Sequence, residues 1–224
     1  MRALLCRSLG SIGNLEVADV ASPALGPGQV RVGVRASGIN FPDILMVEGK
    51  YQIKPELPFI PGLEVAGVVL ECAAGVEHIR PGDRVLAFAR RGGGHAQEIA
   101  VPGAIVTPIP DAMDFVAAAA FPVAYGTAHF ALTHRGHLFA GETLLVLGAA
   151  GGVGLAAIEV AKLLGARVIA AASSPEKLAI ARRHGADETI NYASDELRDR
   201  VRALTDGRGV DVVFDPVGGE AFRQ

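Results

Sequence analysis

The rhythm of apolar and polar positions changes part-way along this chain. In the N-terminal half, residues 30–35 (Val-Arg-Val-Gly-Val-Arg) alternate with period two, the pattern of a half-buried strand. Residues 65–70, 84–88 and 97–101 are further short strand candidates. Turn clusters separate them: Leu25-Gly26-Pro27-Gly28, Ile60-Pro61-Gly62, Arg80-Pro81-Gly82-Asp83 and Gly92-Gly93-Gly94. Closely spaced short strands with such punctuation predict a compact β-barrel. Towards the C-terminus the pattern becomes strand, helix, strand. Residues 144–147 form an uncharged run of β-formers, and residues 151–165 carry a broad helical apolar surface through Leu155, Ile158, Val160, Ala161, Leu163 and Leu164. A second strand follows at 167–172, and Ser174-Pro175 opens a helix with Ser as N-cap and Pro at the first helical position. Residues 188–192 predict a third strand, 195–205 a charged helix and 210–217 a fourth strand. Such alternation implies a parallel sheet wound by right-handed crossovers.

The predicted class is therefore α/β: an N-terminal β-barrel domain, then a partial Rossmann, doubly wound parallel sheet. The change of pattern falls between residues 111 and 122, giving domains at 1–121 and 122–224, the second with strands 1–4 only. Residues 115–134 lack charge and are long enough to raise the question of a membrane span. They contain Pro122, Gly126, Thr127 and two histidines, and a buried helix pair at the domain junction is the better reading.

The turn between the first predicted strand of the second domain and its helix reads Gly148-Ala149-Ala150-Gly151-Gly152-Val153-Gly154. Strand, glycine turn and helix in that order make a dinucleotide-binding crossover. Gly151 lets a pyrophosphate approach the backbone, Gly154 lets the helix pack closely on the strand, and Ala149 replaces the first glycine of the usual pattern. The free N–H groups and positive dipole end of the helix then face the anion. NAD sites place an acid about 20 residues after the turn to take the ribose 2′-hydroxyl. Here that region reads Ala171-Ala172-Ser173-Ser174, and Lys177 lies within reach of a 2′-phosphate. NADPH is the expected cofactor.

Half of the 224 residues are apolar, 28 are Gly and none is Trp, which suits an α/β protein with many tight turns. A net charge of −3 gives no reason to expect nucleic acid or an anionic membrane as partner. Cys6 and Cys72 are too few for a disulfide framework and lack metal-ligand spacing, so a reducing cytosol is the default. Residues 1–10 carry two arginines and no long apolar core, so no secretory signal is read there.

Together these halves resemble the medium-chain dehydrogenase/reductase superfamily, and more narrowly its zinc-free quinone oxidoreductase, zeta-crystallin-like branch. The resemblance rests on Pro27-Gly28-Gln29-Val30, Gly38-Ile39-Asn40-Phe41-Pro42-Asp43, Pro61-Gly62-Leu63-Glu64-Val65-Ala66-Gly67, Pro81-Gly82-Asp83-Arg84-Val85 and the turn at 149–154. It implies that the barrel is GroES-like. Zinc members have a Cys near the position of Asn40 and a His where Leu63 stands, so the resemblance implies no metal; Glu64 then remains as a structural acid. Without a Lewis acid the acceptor must take hydride readily, as quinones and α,β-unsaturated carbonyls do. By resemblance Asn40 and Thr127 lie near the nicotinamide, Ala150, Gly151, Gly152 and Val153 lie along the pyrophosphate, and Ser173, Lys177 and Tyr192 form the 2′-phosphate pocket. Tyr51 matches a proton donor of related enoyl reductases, the alternative being a wall residue. Asp43 reads equally as a bridge to the ribose and as a helix cap.

A full dinucleotide sheet has six strands in the order 3-2-1-4-5-6, so the chain reads as truncated, its fourth strand an uncovered edge. The full-length protein is expected to be a cytoplasmic homodimer acting on a small-molecule quinone or enone. Two alternatives stay open: an enoyl- or acryloyl-thioester reductase, with Arg90 and Arg91 for the coenzyme A phosphates, and an NADPH-binding protein with a structural or adaptor role.

Overall fold

The computed structural model describes residues 1–219 and residue 222, and its chain divides into two compact units, 1–123 and 124–224.

In the first unit, β1 (Arg2–Cys6) and β2 (Leu15–Asp19) form an antiparallel pair that the sequence pattern did not predict. Five longer-range strands follow: β3 (Gln29–Gly38), β4 (Glu64–Cys72), β5 (Arg84–Phe88), β6 (Glu98–Pro102) and β7 (Val106–Pro108). They pair antiparallel in the order β6-β3-β4-β5-β7. Two bulges between β3 and β4, with the extra residue Leu70 on β4 and Arg35 on β3, bend the sheet. One core cluster takes Ile99 and Val101 from β6, Val30 and Val32 from β3, Val65 from β4, Val85 from β5 and Val106 from β7. Residues of all five strands meet in that cluster because the sheet curls round it, which is the barrel-like architecture. Helix α1 (Phe41–Val47) fills the link from β3 to β4. The helix α2 (Phe115–Ala119) starts at Asp114, whose carboxylate accepts the Ala117 N–H at 2.7 Å.

Next comes α3 (Phe121–Phe130), which continues into a wider π turn, Ala131–Arg135. The expectation of a buried helix pair is corrected here. Ala118, Ala119, Ala128 and Leu132 are buried, but Val116 is 73% and Phe130 50% exposed. Uncharged alanine-rich sequence does not by itself distinguish an inner face from an outer one. Among the described residues no helix is long and apolar enough to cross a membrane.

The second unit is a parallel sheet of β8 (Thr143–Leu147), β9 (Arg167–Ala172), β10 (Glu188–Asn191) and β11 (Val212–Phe214), in the order β10-β9-β8-β11. This is the 3-2-1-4 order of a doubly wound half-sheet. All of β8 is buried, and alternate residues serve opposite faces. Leu144 and Val146 pack with Ala157 and Ala161 of α4 (Gly152–Leu163) and with Ala181 of α5 (Pro175–Arg183). Leu145 and Leu147 pack with Leu197 and Val201 of α6 (Leu197–Leu204). Helices on both faces explain why the strand carries an unbroken apolar run. The fourth strand is shorter than expected because Asp215 turns the chain, its carboxylate accepting the N–H groups of Val217 and Gly218, each at 2.8 Å. On the helical face, the Tyr125 hydroxyl donates to Glu159, and Glu159 meets His184 Nδ1 at 2.6 Å, tying α3, α4 and α5 together.

Candidate functional site

The second unit places its candidate residues at the carboxyl ends of its strands, where open α/β sheets bind ligands. After β8 the tight turn is taken by Gly148 (φ +58°), one residue before the Ala149 that replaces the usual first glycine. Gly151 N–H closes the turn onto Gly148 O at 3.0 Å and Gly151 then caps α4. A Cβ on Gly154 would lie 2.6 Å from Gly148 O, so the helix reaches this close to the strand only with glycine there. A Cβ on Gly152 would meet nothing within 4 Å, which leaves open space in front of the helix N-terminus. Among the described residues the N–H groups of Gly152, Val153 and Gly154 have no hydrogen-bond partner. They form, with the helix dipole, an anion-binding cradle, and the pyrophosphate of a dinucleotide fits it.

At the end of β9, Lys177 Nζ lies 3.0 Å from Ser173 Oγ, and Ser174 caps α5 by accepting the Lys177 N–H at 3.4 Å. Tyr192 N–H donates to Ala172 O at 3.2 Å, which ties that residue to the same strand end, and its ring packs partly on the core under α6. Ser173, Lys177 and Tyr192 are thus gathered at one corner. Sequence reasoning did not weigh Glu176, which sits exposed in the first turn of α5, its pKa lowered by a hydrogen bond with Ser174. Thr127 and Val153 line a cleft of about 510 Å³ with Phe214, Asp215 and Arg135. The last two were also missed, because neither the turn that ends α3 nor the turn after a short strand carries a periodic signal.

In the first unit, Asn40 precedes α1 and gives its N–H to the Asp43 carboxylate at 2.8 Å. Its side-chain NH2 donates to Glu64 Oε1 at 2.7 Å, while Glu64 Oε2 accepts the Val123 N–H at 2.7 Å. Burial raises the Glu64 pKa, against the lowering effect of those two bonds. A Cβ on Gly38 would lie 2.1 Å from Glu64 Oε1, so Gly38 makes the room that Glu64 occupies. Asp43 is 4% exposed; its second oxygen takes the Gly62 N–H at 3.0 Å. Both of its oxygens are therefore engaged inside the unit, in a capping and bracing role. Tyr51 stands apart from this network: partly buried, it packs against the cluster that Cys6, Met46, Val47, Phe59 and Leu63 form, and its hydroxyl has no hydrogen-bond partner among the described residues.

Two family models match the chain: an alcohol dehydrogenase GroES-like domain over residues 26–111 and a zinc-binding dehydrogenase over 152–224. A probable oxidoreductase from Mycobacterium abscessus is 44% identical, with a TM-score of 0.90, the match covering 100% of this chain and 71% of that one. The quinone oxidoreductase from Thermus thermophilus, solved also in complex with NADPH, is 40% identical with a TM-score of 0.87, covering 100% of this chain and 69% of its own. This chain belongs to the medium-chain dehydrogenase/reductase superfamily. Within that superfamily it falls among the quinone oxidoreductase-like proteins, being 46% identical to the quinone oxidoreductase-like protein 2 homolog of Nematostella vectensis. It spans 61% of the length of that relative, and 63% of the Rattus norvegicus quinone oxidoreductase-like protein 2.

Proposed function

We propose that the chain belongs to an NADPH-dependent oxidoreductase that delivers hydride to a quinone or another α,β-unsaturated carbonyl without zinc. The observation that carries this reading is the pairing of Lys177 with Ser173 at the end of β9, beside a helix N-terminus whose first amides are unpartnered among the described residues. In this reading the amides of Gly152 and Val153 hold the pyrophosphate, and Ala150 and Gly151 keep the turn open to it. Lys177, Ser173 and Tyr192 hold the 2′-phosphate, where the lysine's charge-assisted contact separates NADPH from NADH. Thr127 and Val153 line the cleft that receives the nicotinamide. Bound NADPH supplies the hydride; a quinone or enone spreads the arriving charge over its conjugated system. Asn40, oriented by Glu64, has one amide hydrogen left for cofactor or acceptor, and Asp43 fixes the backbone that carries it. Tyr51 donates the hydrogen bond or proton to the developing oxyanion.

Zinc independence is supported by the donor set. Leu63 is apolar, both Glu64 oxygens are engaged, and Cys6 and Cys72 donate to the Ser8 and Ile79 carbonyls. Among the described residues no group of three or more His, Cys, Asp and Glu is arranged to hold a metal. Stripping with a strong chelator should leave turnover of quinone and enone unchanged with NADPH; activity lost with a stoichiometric metal and restored by zinc contradicts the proposal.

A second reading has one observation in its favour. Arg90 and Arg91 line a cleft of about 440 Å³ with Phe88 and Ile105, and neither has an acidic partner among the described residues. An enoyl-thioester substrate would use those charges for its phosphates. Arg90→Ala with Arg91→Ala then raises KM for the coenzyme A thioester alone, whereas a quinone reductase is indifferent to the change.

A further inference from the structure

Largely buried in the first unit is a group of polar side chains of which the proposed reaction uses only the bracing by Asp43. His95 lies between Ser37 and Asp43: Ser37 Oγ is 2.8 Å from His95 Nδ1, and His95 Nε2 is 3.9 Å from Asp43 Oδ2. The His95 backbone is held on both sides, its N–H donating to Pro61 O at 2.9 Å and its carbonyl accepting from Leu4 at 2.8 Å. Beside the imidazole is a cavity of about 320 Å³ walled by Leu4, Leu15, Ile44, Val47 and Pro61. Among the described residues His95 and Asp43 are its only polar side chains.

The hydrogen-bond network favours one tautomer of His95. The Ser37 hydroxyl also lies 3.1 Å from Glu64 O, a pure acceptor, so its proton goes there. Ser37 Oγ must then accept, and His95 carries its proton on Nδ1. Nε2 is left with a bare lone pair, and burial lowers the His95 pKa although the Asp43 charge opposes this. Asp43 Oδ2 already takes one N–H and keeps further acceptor capacity. An entering molecule therefore meets an apolar wall, two acceptors and no side-chain donor. A buried acceptor left unmatched is unfavourable, so the occupant has to bring a donor. An ammonium group would lose most of its hydration in an apolar cavity whose one carboxylate already shares its charge with two N–H groups, which favours a neutral O–H.

We propose that this cavity is a ligand site for a small hydroxyl-bearing hydrophobe, a phenol or cyclic alcohol of single-ring size, whose O–H donates to His95 Nε2. The volume is at the low end of the range of roughly 300–1,000 Å³ for small-molecule pockets, hence the single ring. Because Asp43 carries the cap of α1, an occupant also touches the residue that fixes Asn40. The proposal stands on the first unit alone and is independent of the redox reading.

The test uses phenol and toluene, which differ by a hydroxyl for a methyl, with benzylamine as the cationic probe. Calorimetric titration should show saturable phenol binding about 10-fold tighter than toluene, the effect of one hydrogen bond. Phenol should move the His95 Nε2 resonance in a ¹⁵N-labelled wild-type protein, a readout that needs no variant. Ile44→Phe, which fills the cavity, should weaken phenol at least as strongly, and His95→Phe should remove the preference over toluene. Equal affinities for phenol and toluene, an unmoved Nε2 resonance, or tighter binding of benzylamine than of phenol would each overturn the assignment.

Discussion

Replacing Gly154 with alanine isolates the close packing on which the nucleotide cradle depends. The added Cβ would lie 2.6 Å from Gly148 O, 2.9 Å from Ala149 Cα and 3.0 Å from the Ala149 carbonyl carbon. All three are backbone atoms of the turn after β8, so no side chain can rotate away and α4 itself must move. Overpacking of this kind costs about 1–3 kcal/mol, and the upper end applies where only backbone can yield. Alanine returns about 1 kcal/mol of helix propensity, leaving a net loss of about 2 kcal/mol. For a chain of this size that lowers the melting temperature by roughly 4–8 °C. Gly152→Ala is the matched control, because its Cβ meets nothing within 4 Å; its stability should stay within about 0.5 kcal/mol of wild type. Far-ultraviolet circular dichroism melts of the three proteins make the comparison. Equal melting temperatures for the two variants, or no loss in Gly154→Ala, would refute the packing argument.

Other outcomes follow from the buried polar groups. The Glu64 pKa is raised, burial being the largest cause, so its favourable contribution is present below the ordinary carboxylate pKa and lost as pH rises through the folded value. In urea titrations the stability of wild type relative to Glu64→Gln should fall as pH rises above the ordinary carboxylate range; a flat difference, or one growing in favour of wild type, contradicts this. Of the three tyrosines, Tyr125 has its pKa pushed up to about 12 by its hydrogen bond to Glu159, by burial and by the carboxylate charge. An ultraviolet titration should find one late phenol that Glu159→Gln brings back toward about 10, and three ordinary phenols would exclude the bond. In the full-length protein, Tyr51→Phe should lower enone turnover by roughly 10²-fold with NADPH affinity unchanged, whereas a wild-type rate makes Tyr51 a wall residue.

Much of the second unit was legible because its signals are local. The apolar run ending at Leu147, the glycine turn and the Ser174-Pro175 start each depend on neighbours in sequence, and the observed β9 (Arg167–Ala172) matches its predicted span. Where a side chain redirects the backbone, legibility ends: Asp215 cuts the fourth strand short by bonding N–H groups beyond it. The pairing of β1 with β2 was missed because only tertiary contact makes a strand of Leu15–Asp19, much of which is exposed. Among the candidate site residues, Gly151, Ser173 and Lys177 are singled out by their spacing from the glycine turn and the second strand. Ser37, Asp43 and His95 could not be grouped that way, since they come from β3, α1 and the loop before β6 and meet only in the folded barrel.

The central claim, that Lys177 and Ser173 make this an NADPH site, is tested most directly by fluorescence titration of the wild-type chain and Lys177→Ala with NADPH and NADH. A charge-assisted hydrogen bond to the 2′-phosphate from an exposed lysine contributes about 1–2 kcal/mol, so the variant should bind NADPH roughly 10-fold more weakly and NADH nearly as before. Equal losses for the two nucleotides, or a wild type that prefers NADH, would contradict the account.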